Sequence, residues 1–477
     1  MDLSGIRSVY FLGIGGIGMS ALARYFVRLG AQVSGYDKTP TPLTDELIRE
    51  GMEIHFEENP GLIPNWVDLV VWTPAVPPDH AEYTYLSRKG FPIRKRAEVL
   101  GEISAPFKTI AVAGTHGKTT TSTLIAHLFH TAGKEFLAFL GGISKNYGTN
   151  FIQSPVISHP SPVISHPSSV TSHPSSVIRH PSSVCCIVEA DEYDRSFLQL
   201  TPDIAIITSA DPDHLDIYNH HDQLKRSFEE FTGNIRQGGS LILKAGVNIT
   251  PTRHFQYTTF SYSMNAEANF FAKNIFIREG LIHFDFVTPT EAIPGFVLGV
   301  PGMFNLENAV AALAAGYLAG IGAVALKEAL QSFLGVQRRF DVQIRRSDLV
   351  YIDDYAHHPE ELKACIRAVR ELFPGKRLTG IFQPHLYSRT RDLADDFARV
   401  LGELDSLILL EIYPAREQPI EGVTSEFLLQ KVPIENKTIC SKTGLIDLLK
   451  REQPEILLTL GAGDIDQLVK PITEAFS

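Results

Sequence analysis

Short apolar runs alternate with amphipathic stretches of helical period along most of the chain, the pattern of an α/β protein with mostly parallel sheets. SVYFLGIG, AQVSGYD and LVVWTPA predict strands of a first domain, residues 1–105. TIAVAGTHG, CCIVEADE, IAIITSADPDH and SLILKAG predict strands of a second, 106–336. VYIDDYAHH, LTGIFQPH, LILLEIYPA and ILLTLGAGD predict a third, 337–477. Most of these runs end in a glycine or polar cluster, and open parallel sheets bind ligands at the carboxyl ends of their strands. Three ligand-bearing rims on a shared cleft suit a reaction that joins two molecules while a third is consumed.

Residues 154–184 break the pattern with a seven-residue repeat of Ser, Pro and His. Proline in every repeat forbids a continuous helix or central strand, so an exposed, extended or disordered loop is expected. His159, His166, His173 and His180 do not make a metal tract, because nothing in such a loop fixes their geometry.

Composition changes this picture little. The chain of 477 residues is 44% hydrophobic and 20% charged, as in soluble globular proteins. No apolar run is long enough to span a bilayer. The N-terminus enters a strand without a secretion signal, and the four cysteines fit neither a disulfide framework nor a zinc site. A cytoplasmic protein without stable membrane insertion is expected. A net charge of −11 argues against a nucleic-acid partner. Anionic substrates must therefore be held by local loops and a few placed cations.

Two glycine loops are candidates. Gly13, Gly15 and Gly18, with Gly16 between them, follow a strand and precede a helix, and Asp37 ends the next strand. Such glycines let backbone N–H groups approach a diphosphate at a helix N-terminus, while the carboxylate accepts ribose hydroxyls. A nicotinamide coenzyme, and hence an oxidoreductase, is one reading; any diphosphate nucleotide fits equally. The second loop, Gly114-Thr115-His116-Gly117-Lys118-Thr119-Thr120, is a shortened phosphate loop with Val112 at the first glycine position of the full motif. Lys118 neutralises β/γ-phosphate charge and the Thr119 hydroxyl reaches Mg²⁺. Glu189 and His214, at the ends of neighbouring strands, are the candidate metal ligands beside Thr119. An oxidoreductase leaves Lys118, Glu189 and His214 without a purpose. Asn305 and Asn308 lie one turn apart on an apolar helix, where they cap it or read a base edge. Arg338 and Arg339 stand at the boundary of the third domain, placed to offset charge in phosphoryl transfer. Asp353, Asp354, His357, His385 and Arg389 end strands of that domain and suit an amine, a carboxylate and protons.

GIGGIGMSALA, GTHGKTTT, EADE, DHLD, NLENAVAA, QRRFD, DDYAHHPEE, FQPHLYSRT and GAGDI occur in the order found in the Mur ligases, and on these motifs the chain resembles that family over nearly its whole length. The resemblance implies a Rossmann-like N-terminal domain for the UDP-sugar, a P-loop ATPase-like centre and a Rossmann-like C-terminal domain for the amino acid. It implies the branch that joins L-alanine to UDP-N-acetylmuramate with ATP and Mg²⁺, through an acyl phosphate; a murein-peptide recycling ligase shares most of the motifs. By the same resemblance Gly13, Gly15, Gly16, Gly18 and Asp37 hold the UDP-sugar. Gly114–Thr120, Asn305, Asn308, Arg339 and Asp354 serve ATP, and Tyr355, His357, His385 and Arg389 surround the amino acid. Lys118, Arg339 and His357 are the catalytic candidates. Three positions depart from the pattern: Phe304 and Leu386 stand where many members have His and Arg, and Phe228 where later ligases of the pathway carry a carbamylated lysine.

Overall fold

The computed structural model describes residues 3–154, 184–211, 221–415 and 417–477. His214 and nearly all of the Ser/Pro/His repeat lie outside the described residues. Every run named above forms a strand, and the described residues hold three sheets.

The first sheet has strands β1 (Ser8–Leu12), β2 (Gln32–Tyr36), β3 (Glu53–His55), β4 (Leu69–Trp72) and β5 (Ile93–Lys95) in the order 3-2-1-4-5, all pairs parallel. β1 is buried along its length, as a central parallel strand must be when both faces are covered. It pairs with β2 on one side and β4 on the other, so the chain leaves its carboxyl end at a topological switch point.

The second sheet repeats the device. Its strands are β6 (Lys108–Ala113), β7 (Phe136–Phe139), β8 (Phe151–Gln153), β9 (Cys185–Glu189), β10 (Ile204–Ile207), β11 (Ser240–Lys244), β12 (Thr258–Ser263), β13 (Phe270–Arg278), β14 (Leu281–Val287) and β15 (Ala292–Leu298). β6 lies between β10 and β9, parallel to both, which brings Glu189 beside Val112. The run β13–β15 extends one edge of this sheet and is absent from the strands expected above, although β14 alternates cleanly, with buried Ile282, Phe284 and Phe286 interleaved by His283 and Asp285.

The third sheet contains β16 (Asp341–Arg345), β17 (Val350–Asp354), β18 (Leu378–Phe382), β19 (Ser406–Leu409), β20 (Lys437–Ile439) and β21 (Ile456–Leu460), in the order 16-17-21-18-19-20. Only β16 of these pairs antiparallel, with β17.

These sheets fall into two compact units. The first contains residues 1–276, 283–299 and 307–334; the second contains 277–282, 300–306 and 335–477. Within the first unit one apolar core runs through both sheets. Tyr25, on the helix Ile17–Arg28, packs against Phe139 and Phe151 of the second sheet at 5.6 and 5.9 Å. Buried Arg24 adds a polar tie, bridging Glu46, Glu50 and the Asn150 side chain. Asn150 in turn donates to the Ile17 carbonyl at 2.6 Å. Among the described residues no helix is long and apolar enough to cross a membrane.

Candidate active site

In the first unit, buried β6 runs into the loop Gly114–Gly117 and the helix Lys118–Thr131. Two of its glycines are required by space as well as by backbone angle. Gly114 has φ +130°, and a Cβ there would meet the Thr208 hydroxyl at 2.1 Å; Gly117 has φ +82°, and a Cβ would meet Asn308 Oδ1 at 2.4 Å. Asn308 is thus brought onto the loop. The other wall comes from the end of β10, where Ser209 Oγ pairs with Thr115 Oγ1 and accepts from His116 N, both at 2.8 Å.

Lys118 Nζ donates to the Gly114 carbonyl at 2.7 Å and to Glu192 Oε1 at 2.8 Å. Burial disfavours its ammonium, but Glu192, Asp191 and Glu189 outweigh burial and hold its pKa above the ordinary lysine value. Glu192 is fully buried and belongs to the EADE motif, yet the sequence reading gave it no role. Its signal was the spacing: three residues after Glu189, the turn that ends β9 carries the second carboxylate back to the lysine. Thr119 Oγ1 lies 3.2 Å from Glu189 Oε1, whose partner oxygen accepts from Gly141 N at 3.1 Å. A hydroxyl from the first turn of the helix Lys118–Thr131 and a carboxylate from the end of β9 converge here, hard oxygen donors of the kind that suits Mg²⁺. Among the described residues no group of three or more His, Cys, Asp or Glu could hold a metal, and His214 falls outside them.

The first glycine loop leaves β1 with Gly13 at φ +89°, where a Cβ would meet Thr73 at 2.7 Å. Gly13 N and Ile14 N donate to the Tyr36 carbonyl, and Gly15 N donates to Asp37 Oδ2 at 2.7 Å. Asp37 therefore braces the loop. Gly16 caps the helix that opens at Ile17, with no side-chain hydrogen bond at the cap.

In the second unit Arg338 is consumed by the fold. It donates to the Gly461 carbonyl at 2.6 Å and lies 3.4 Å from the carboxylate of buried Asp353. Both arginines lie over the Tyr355 ring, Arg338 at 5.1 Å and Arg339 at 5.0 Å from its centroid. Asp354 accepts from Phe340 N and Ala356 N at 2.6 and 2.8 Å. Burial pushes Asp353 up to about 6 against the pull of Arg338 and Thr459, and it pushes Asp354 upward as well, against Arg339.

Tyr355, His357, His385 and Tyr413 form a row of rings, with successive centroids 5.3, 5.8 and 5.7 Å apart. His357 Nδ1 contacts the Tyr355 carbonyl at 3.0 Å and Glu361 at 3.2 Å. Burial lowers the His357 pKa despite Glu361, with Arg389 acting in the same direction as burial. Arg389 Nη1 is buried without a hydrogen-bond partner. Tyr413 and Glu361 were missed by sequence reasoning. Glu361 carried a usable signal, since it stands three residues after His358 and closes a capping box at the helix Pro359–Leu372.

Asn305 donates to the Pro301 carbonyl, four residues earlier, at 2.7 Å. Phe304 packs edge-on against Phe340 at 5.6 Å. Leu386 holds φ +72° before the short helix Tyr387–Asp392. Phe228 is wholly buried against Phe197, so no ionisable group stands there.

Three family models match the chain in order: the Mur ligase family catalytic domain over residues 8–108, the Mur ligase middle domain over 112–316 and the Mur ligase glutamate ligase domain over 338–463. A UDP-N-acetylmuramate–L-alanine ligase of Parabacteroides distasonis is 49% identical, with 99% of this chain and 98% of that protein covered. One from Porphyromonas gingivalis is 48% identical, covering 98% and 99%. Among solved structures, a UDP-N-acetylmuramate-alanine ligase of Thermotoga maritima superposes with a TM-score of 0.80 at 25% identity, covering 98% and 99%. A murein peptide ligase of Psychrobacter arcticus shares the fold, with a TM-score of 0.71 at 21% identity and coverage of 99% and 98%.

Proposed function

Because the chain belongs to the Mur ligase family, we propose that it joins L-alanine to the carboxylate of UDP-N-acetylmuramate as ATP is consumed, in peptidoglycan precursor synthesis. The observation that carries this reading is the first unit itself. Two glycine loops at two switch points are built there for two different anionic ligands, and only the second brings a lysine, a hydroxyl and two carboxylates together.

The loop after β1 takes the UDP diphosphate on the N-terminus of the helix Ile17–Arg28. The loop after β6 takes the phosphates of ATP, with Lys118 moving its ammonium from Glu192 toward them. Thr119 and Glu189, with His214, would hold Mg²⁺, which neutralises phosphate charge when bound. The muramyl carboxylate attacks the γ-phosphorus, a carboxyl–phosphoryl bond forms, and ADP leaves. Arg339, whose charge acts on Asp354 with no hydrogen bond between the two side chains among the described residues, suits the charge that develops in this transfer.

The alanine amine then attacks the acyl carbon, an amide forms and phosphate departs. Neutral His357 is the group suited to take the ammonium proton, and Arg389 suits the alanine carboxylate. Asn308 and Asp354 are assigned to the nucleoside of ATP. A cytoplasmic site of action follows from these substrates.

The test is phosphate release from MgATP with UDP-N-acetylmuramate and, in parallel, L-alanine or the tripeptide L-Ala-γ-D-Glu-meso-diaminopimelate. Release requiring UDP-N-acetylmuramate and L-alanine together is expected. Release with the tripeptide alone would replace this reading with a recycling ligase.

A further inference from the structure

A cavity of about 200 Å³ lies within the first unit, with Gly18 and Thr73 at one end and Gly141 and Glu189 at the other. A sugar nucleotide whose diphosphate rests on the first glycine loop, and whose carboxylate reacts near Glu189, has to run through it. Two cations stand in its wall at the end of β5, and each already has an acidic partner from the segment after β9. Lys95 Nζ is 3.0 Å from Asp194 Oδ2, and Arg96 Nη2 is 3.4 Å from Asp191 Oδ2. Arg96 also lies over the diphosphate loop, since a Cβ at Gly18 would sit 3.0 Å from its Nη1. The acidic segment is strained: Asp194 and Arg195 occupy the left-handed region, with φ of 52° and 54°.

We propose that Lys95 and Arg96 are cationic contacts of the sugar nucleotide, and that Asp194 and Asp191 hold them in place until the anionic substrate displaces the carboxylates. The proposal rests on the reading of the first loop as the UDP-sugar site. The Lys95–Asp194 pair is 45% and 35% exposed, the kind of ion pair that is weak and readily exchanged. A diphosphate offers a guanidinium two parallel acceptors and more charge than one aspartate does. The strained turn supplies the give, because releasing Asp194 from Lys95 frees a backbone held in an unfavourable region. The two lining cations, each paired with an aspartate, also set a threshold: a neutral sugar has no charge with which to displace Asp191 or Asp194, whereas an anionic one exchanges partner for partner.

The sign of one effect separates this latch from an ordinary structural ion pair. Asn tolerates the left-handed backbone better than most residues, so Asp194→Asn keeps the turn and removes the charge. Titration calorimetry of UDP-N-acetylmuramate into the full chain, without ATP, is the measurement. Arg96→Met should weaken binding roughly 10- to 100-fold, as loss of a charge-assisted phosphate contact does, and Lys95→Met about 5-fold. Asp194→Asn should tighten it about 3-fold, the scale of an exposed ion pair. Unchanged or weaker binding by Asp194→Asn would overturn the latch. Unchanged binding by Arg96→Met would overturn the cationic contact. If the unaltered chain failed to bind the sugar nucleotide, the reading of the first loop would fall instead.

Discussion

The Lys118 loop of the first unit and the ring row of the second both sit where parallel strands end, but they are made of different material. The loop is a backbone device. Its glycines are fixed by positive φ and by neighbours that leave no room for a Cβ, and its lysine is held by the buried Lys118–Glu192 pair. The second region is a side-chain device, in which rings, two raised carboxyls and a buried guanidinium nitrogen are held by packing from several strands. Backbone devices bind what every nucleotide shares, its phosphates. Side-chain devices distinguish one small amine from another.

The contrast is sharpest at Lys118. Lys118→Ala removes the phosphate partner and strands a buried carboxylate, Glu192, whose isolation costs about 3–5 kcal/mol. ATP turnover should fall by roughly 10³-fold or more while UDP-N-acetylmuramate binding persists. Turnover assays and calorimetry on one preparation check both halves, and surviving turnover would remove the loop from the chemistry.

His357→Gln addresses the second region. Here kcat/KM for alanine should drop on the order of 10²-fold, the usual worth of a positioned base, with KM for ATP little changed. In the unaltered enzyme the lowered His357 pKa keeps the imidazole neutral at pH 7, so alanine-dependent kcat/KM should fall only as pH drops below about 6.5. An equal rise in KM for ATP would mean that the ring row supports the nucleotide instead.

Asp353→Asn gives an effect confined to stability. The folded carboxyl titrates near 6, above its ordinary value of 3.8. A raised acid stabilises the fold most below the unfolded pKa, and that contribution is lost as pH rises through about 6. The full span is on the order of 3 kcal/mol. The variant should flatten the decline in Tm of the second unit between pH 4 and 6.5. A slope unchanged by the substitution would place the proton elsewhere.

Much of the first unit was legible in the sequence for the same reason that it is a backbone device. Gly13, Gly15, Gly114 and Gly117 advertise left-handed turns and close approaches, and apolar runs ending in them locate strand ends. Glu192, Ser209 and Arg96 were not assigned, because their roles depend on which strands become neighbours. β9 and β10 flank β6 although long stretches of chain separate them. In the second unit the residues were named but their division of labour was not. Arg338 and Arg339 look alike in sequence, and only the Asp353 and Gly461 contacts assign the first to the fold. Tyr413 completes the ring row through a pairing with His385 that no local pattern signals. In the β13–β15 run a signal was present in β14, where Ile282, Phe284 and Phe286 alternate with His283 and Asp285, whereas β13 carries no such period.

The central claim is that the first unit transfers the γ-phosphoryl group onto the muramyl carboxylate before the amine arrives. Turnover of UDP-N-acetylmuramate carrying ¹⁸O in that carboxylate, with unlabelled ATP and L-alanine, tests it by mass spectrometry of the released phosphate. One labelled oxygen in each phosphate is the predicted result. Phosphate free of label would mean that ATP was cleaved by water and that no acyl phosphate was formed.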